Sequence, residues 1–293
     1  MRALVTGAGG FAGRHAVERL RAAGVETFAF DGDIRDADAC LGQVRAARPD
    51  AVLHLAAISS VADAWRRPDV VADVNVGGTG NLLDAVAAAA PAARFVLVSS
   101  AEVYGAVPEA DQPIGEDAPL RPLSPYASSK LDAEAAAHAS GVETVIARPF
   151  PHIGPGQDER FAIASFAHQI ASIERGDAPP VLRVGNLDAR RDLSDVRCIA
   201  DAYLSLLGSP DASGTYNVAT GRAERIGDVL DTLLRLSDRE IEIAEDPDRL
   251  RPADIPLLCG DPARIAHDLG WRANRPLEQT LLDKLTFFRE RLA

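Results

Sequence analysis

The chain has 293 residues, with 31 Lys and Arg against 43 Asp and Glu and a formal net charge of −12. That balance argues against a nucleic-acid partner, which needs a basic face, and no apolar run approaches the roughly 20 residues of a membrane span. Only Ala3-Leu4-Val5 separates Arg2 from a glycine-rich turn, so no signal peptide and a cytoplasmic location are expected. Cys40, Cys198 and Cys259 are odd in number and far apart. Neither a disulfide framework nor a metal site is expected from them.

The first half alternates short apolar runs with Ala-rich helical segments, the pattern of βαβ units on a parallel sheet. Strands are predicted at residues 3–6, 26–30, 51–55, 95–99 and 142–148, and helices at 11–23, 37–47, 70–90 and 125–140. Most of these strands are continuous rather than alternating in hydrophobicity, as expected when helices cover both faces. Gly24 is the expected cap after the first helix. Beyond Arg148, Pro and Gly cluster over 149–156; helices are predicted at 161–175, 199–207 and 226–237, and a loop at 247–262. The expected architecture is α/β: a Rossmann-type, doubly wound parallel sheet over 1–148. A smaller substrate-binding lobe over 149–293 is partly woven back into it.

The first motif, Thr6-Gly7-Ala8-Gly9-Gly10-Phe11-Ala12-Gly13, follows a strand and opens a helix. Glycines belong where the chain turns tightly, approaches a pyrophosphate or packs helix on strand, and the helix N-terminus offers N–H groups to phosphate. Asp31 ends the second predicted strand, ahead of Asp33-Ile34-Arg35-Asp36. An acidic residue here accepts a bond from the adenosine ribose and favours NADH. Arg14 and Arg35 can instead pair with a 2′-phosphate, so both cofactors stay open, with NADPH slightly favoured. For Asp33, capping the next helix is an equal alternative. His54-Leu55-Ala56-Ala57 ends the third strand beside the expected cofactor path; His54 reads as a structural histidine.

Tyr126-Ala127-Ser128-Ser129-Lys130 puts a phenol and an ammonium four residues apart on one helix face. The cation is expected to lower the phenol pKa and fit it for acid/base work. Ser99-Ser100-Ala101-Glu102 follows the fourth strand, where a serine can bond the reacting oxygen.

With these motifs the sequence resembles the extended short-chain dehydrogenase/reductase family over almost its whole length. The resemblance implies an NAD(P)-dependent oxidoreductase acting on a sugar nucleotide, with Ser100, Tyr126 and Lys130 catalytic. It implies Gly7, Gly10, Phe11, Gly13, Asp31, Asp33, Ile34, Leu55, Ala56, Ala57 and Asn75 around the dinucleotide. Residues 147–157, Ala-Arg-Pro-Phe-Pro-His-Ile-Gly-Pro-Gly-Gln, look like the substrate loop of GDP-4-keto-6-deoxy-D-mannose reductases, with Pro151 replacing the usual Asn. Segments 190–196 and 246–254 are similar to ones that grip a nucleotide diphosphate, which this acidic chain can hold only with a local basic cluster. Pro151, His152, Arg183, Arg191, Arg249, Arg251 and Asp254 are the substrate candidates. Glu102 stands where dehydratases keep a proton-removing glutamate. Reduction is favoured over dehydration because the chain lacks a longer cofactor-embracing insert, and 4-epimerisation is a third alternative. A homodimer formed through helices 70–90 and 125–140 is also implied.

Overall fold

In a computed structural model, residues 1–249 and 255–293 are described. Strands β1 (Arg2–Thr6), β2 (Glu26–Ala29), β3 (Ala51–His54), β4 (Arg94–Val98) and β5 (Thr144–Pro149) form one sheet. Helices α1 (Phe11–Ala22), α2 (Ala37–Ala47), α3 (Val61–Arg66), α4 (Pro68–Ala72), α5 (Gly78–Ala89) and α6 (Pro125–Ala139) alternate with them. The later elements are β6 (His152–Ile153), α7 (Ala162–Arg175), β7 (Val181–Val184), β8 (Arg190–Asp192), β9 (Ser194–Asp195) and α8 (Val196–Gly208). After these come β10 (Gly214–Val218), β11 (Ala223–Arg225), α9 (Ile226–Arg235), β12 (Glu242–Glu245), β13 (Leu257–Leu258), α10 (Ala263–Leu269) and α11 (Leu277–Leu292).

The sheet runs β2-β1-β3-β4-β5-β10, every neighbouring pair parallel. Its inner strands β1, β3 and β4 are largely apolar and buried because both faces are covered. Ala16 and Leu20 of α1 and Ile199, Tyr203 and Leu206 of α8 pack on one face. Val44, Leu82, Leu83, Ala133 and Ala137 of α2, α5 and α6 pack on the other. The chain moves outward from β1 to β2 and returns across β1 to β3, so strand order reverses between β1 and β3. A crevice at that reversal, above the carboxyl ends of the strands, is where such sheets take ligands.

The second half makes its own core, in which Ile170, Leu182, Leu230, Leu281, Leu285 and Phe288 are completely buried. Short ladders brace it: β7 with β12, β8 with β11 and β13, and β6 with β9. Two to four residues are too few to show a period, so these strands escape detection from sequence. Helix α11 adds to the helices predicted from sequence, and its Leu277, Leu281, Leu285 and Phe288 fall at helical spacing. The loop predicted at 247–262 holds a short 3₁₀ turn at Pro247–Arg249 and β13. The helix predicted at 70–90 is broken into α4, a π-helical turn (Asp73–Gly77) and α5. Hydrophobic period does not register one inserted residue; what holds the turn is the tertiary bonding of Asn75, described below. Among the described residues no helix is long and apolar enough to cross a membrane.

Candidate active site

The glycine loop lies at the strand-order reversal. Gly7 has φ +65°, and a Cβ there would lie 2.8 Å from the Ala56 nitrogen; at Gly13 it would land on the Gly7 carbonyl and 2.9 Å from Ala8 Cα. These two glycines therefore let the turn fold against β3 and α1 against the turn. Gly9 faces open space, and Gly10 caps α1 without a side-chain bond to its first turn. That turn thus presents N–H groups, with room beside them, to a dinucleotide pyrophosphate, and the residues fit such a ligand. Gly13→Ala is expected to weaken NADPH binding about tenfold or more, measured by fluorescence titration, because the methyl must displace the Gly7 carbonyl.

Around the adenosine end, Asp31 is exposed and its N–H donates to Gln43 (2.9 Å). Asp33 does not cap α2; Asp36 does, accepting from the Ala39 N–H at 3.0 Å. Asp33 instead chelates the Arg35 guanidinium (both Oδ at 3.0 Å from Nε), which holds its carboxyl down to about 2. Arg35 also reaches Asp73 at 3.4 Å. The Ile34 side chain is buried against Gly78 of α5.

The N–H groups of Leu55 and Ala56 both donate to Thr6 Oγ1 (3.2 and 3.1 Å), leaving that hydroxyl's proton for His54 Nδ1 at 2.7 Å. Nε2 then carries the ring proton and donates to Thr79 Oγ1 (2.8 Å), whose own proton goes to the Asn75 carbonyl (2.6 Å). Burial pushes His54 down to about 3, in keeping with a neutral ring. The Asn75 amide is fully engaged. It bonds both backbone groups of Ile58 and donates to Ser129 Oγ (2.9 Å), which donates to the Tyr126 carbonyl (2.8 Å). One buried chain of bonds thus runs from the end of β1 to the helix bearing the phenol. Asn75 acts within it rather than as an open side chain on the cofactor path.

Helix α6 begins where sequence rules place it, with Ser124 accepting from the Ala127 N–H (3.1 Å) and Pro125 in the first turn. Its Tyr126 phenol lies beside Ser100, which acts to lower its pKa. Ser100 in turn caps a 3₁₀ turn (Ala101–Tyr104), accepting from the Glu102 N–H at 3.2 Å. Ser124 Oγ lies 3.5 Å from the Glu102 carboxylate. The expectation that Lys130 lowers the phenol pKa is not met. Burial and then the Glu102 carboxylate push Tyr126 above its ordinary value, outweighing the opposing pull of Ser100. Lys130 is itself desolvated and falls to about 8, despite the opposing pull of Glu134. Residue spacing carries no information on desolvation, the dominant cause for both groups.

One turn beyond Lys130, Glu134 makes a bidentate pair with Arg148 at the end of β5 (3.0 and 2.7 Å), both nearly inaccessible. Arg148 also donates to the Tyr104 hydroxyl (3.0 Å) and the Glu116 carbonyl (3.2 Å); Tyr104 donates to Asn217 Oδ1 on β10 (2.7 Å). This cluster, absent from the sequence reading, ties α6, β5, β10 and the Ser100–Tyr104 segment together.

Of the substrate candidates, Pro151 accepts from the Ser194 N–H (3.0 Å), and His152 stacks on Phe11 with centroids 5.9 Å apart. The residues after β5 therefore lie against the start of α1. Arg183 is exposed on β7. Arg249 crosses the end of that strand at Gly185 and donates to Ser165 (2.9 Å) and Asp246 (3.3 Å). Arg191 sits on neighbouring β8, its guanidinium on the Arg190 carbonyl (2.9 Å). Arg251 and Asp254 lie outside the described residues.

Comparison with known proteins agrees with this fold. A GDP-6-deoxy-D-mannose reductase of Pseudomonas aeruginosa is 38% identical over 288 residues, covering 96% of this chain and 94% of the relative. A GDP-mannose 4,6-dehydratase of Yersinia enterocolitica is 29% identical over 82% of this chain and 73% of its own. The solved structure of RMD from Pseudomonas aeruginosa complexed with NADPH superposes with a TM-score of 0.92 at 36% identity, covering 99% of this chain and all of that one. The family model described as GDP-mannose 4,6 dehydratase matches residues 26–283. The chain belongs to that family, within the extended short-chain dehydrogenases/reductases.

Proposed function

We propose that this protein is a cytoplasmic, homodimeric, NADPH-dependent reductase that converts GDP-4-keto-6-deoxy-D-mannose into GDP-D-rhamnose. The observation that carries the reaction type is the buried Tyr126 phenol beside Ser100, kept protonated by burial and Glu102. NADPH, when bound, supplies the hydride; reduction of a ketone then requires an acid for the developing alkoxide, and a protonated phenol is that acid. Ser100 orients the sugar oxygen, and Lys130 holds the cofactor ribose. A 4,6-dehydratase or 4-epimerase begins instead by oxidising a hydroxyl, for which the tyrosine must start as phenolate, the form this site disfavours. Glu102 supports dehydration as the second reading, since it lies near enough to Tyr126 to raise its pKa.

Substrate and cofactor rest on the reductase relative and on the neighbour solved with NADPH. Arg35 is the proposed partner of the 2′-phosphate, drawn from its present pairing with Asp33 and Asp73. Arg183, Arg191, Arg249 and Arg251 are the proposed grip on the substrate diphosphate. The helices before and after the π turn, with α6, are the proposed dimer face. The test is incubation with GDP-4-keto-6-deoxy-D-mannose and NADPH or NADH, following nicotinamide absorbance and identifying the sugar by NMR. One equivalent of cofactor oxidised per 6-deoxyhexose formed is expected. Turnover of GDP-mannose or a UDP-sugar without net cofactor use would replace this reading with the dehydratase or the epimerase.

A further inference from the structure

Lys284 on α11 is completely buried, and its Nζ donates to two neutral acceptors, the Gly154 carbonyl (3.1 Å) and Gln157 Oε1 (2.7 Å). Among the described residues no carboxylate lies within ion-pair distance of it, and burial alone draws it down to about 7. A buried amine without a counter-charge is costly. Satisfying two oxygens does not by itself require one, since a buried water can do so.

What the amine holds is the segment that follows β5. Gln157 is itself buried, and its amide passes the contact on, donating to the His152 carbonyl at 3.1 Å. From the opposite side, α1 grips the same residues. The His152 ring stacks on Phe11, His15 Nε2 donates to the Pro155 carbonyl (2.9 Å), and Arg14 donates to the Gly156 carbonyl (3.1 Å). Helix α11 is seated independently: Thr280 donates to Asp195 (2.8 Å), and Arg197 reaches Asp283 (2.6 Å). Residues 152–157 are thus clamped between the helix of the glycine loop and the last helix of the chain.

We propose that Lys284 is a positioning residue, which through Gln157 holds residues 152–157 in the conformation that binds the sugar nucleotide. The proposal rests on the reading of Pro151 and His152 as sugar-nucleotide contacts. The amine touches no reacting atom; it acts on the loop from behind.

The experiment compares Lys284→Met, Gln157→Leu and the double variant with wild type, using whichever nucleotide sugar the wild type turns over. Failure of the GDP-ketosugar would therefore overturn the substrate reading without touching this comparison. Each single variant is expected to raise KM for the sugar nucleotide about tenfold, one loop contact's worth. The change in kcat and in NADPH Kd should stay below about twofold. The double variant should cost less than the sum of the two single ones, because the Lys284–Gln157 bond is lost in each. Amide hydrogen exchange should quicken in residues 152–157 and not in α1. A wild-type KM in both variants would overturn the proposal. So would an equal loss of NADPH affinity with additive effects, the mark of a general scaffold. If Lys284→Met does not fold, Gln157→Leu alone decides between the same outcomes.

Discussion

Tyr126→Phe is expected to lower kcat about 10²–10⁴-fold, the usual worth of a positioned acid, with NADPH affinity nearly unchanged. The ring stays and only the hydroxyl goes, so the helix, its Ser124 cap and the Ser129–Asn75 chain are untouched. Wild-type turnover by this variant would end the assignment of Tyr126 as the acid. The pH profile is a sharper check. The phenol is raised, so in the reductive direction it is already in its working form at neutral pH. Lys130 falls to about 8, so its charge is present below that value and lost above it. The reduction rate is therefore expected to decline as pH rises through about 8, with no acid limb from the phenol. A rate that instead rises with pH over that range would show that the phenolate is the working form, as an initial oxidation requires.

Arg148→Ala is expected to cost about 3–5 kcal/mol of stability, read by urea denaturation, because it leaves the Glu134 carboxylate buried without its partner. Glu134 has no access to water that could solvate it in place, and Tyr104 and the Glu116 carbonyl each lose a donor. The paired change Glu134→Leu with Arg148→Met removes both charges and is expected to regain most of the loss. A paired variant as unstable as Arg148→Ala would show that the bonds to Tyr104 and Glu116, rather than the stranded charge, dominate. Because Tyr104 ends the turn that begins at Ser100, the single variant is also expected to lower kcat in the fraction that remains folded.

Much of the active site was legible because its signals are local. The glycine loop, the Ser100 segment and the Tyr126–Lys130 spacing each lie within eight residues, and each sits at a strand end or helix start that hydrophobic period locates. Where the reading failed, the cause was distant or environmental. Spacing placed Lys130 beside Tyr126, yet desolvation set both pKa values. Sequence left Asp33 open between a ribose contact and a helix cap; the fold gives the cap to Asp36, three residues before the Ala39 N–H that it accepts from.

The sequence by itself determined the βαβ order, the parallel sheet, the glycine turn between β1 and α1 and the placing of Tyr126 and Lys130 one turn apart on α6, since all follow from short-range period and spacing. The tertiary structure alone decided the π turn at Asp73–Gly77, the return of β10 to the first sheet, the Glu134–Arg148 cluster and the burial of Lys284. The contacts that hold Lys284 and join Arg148 to β10 span up to 130 residues. Each takes its energy from exclusion of water, a property of the assembled core and not of any one segment.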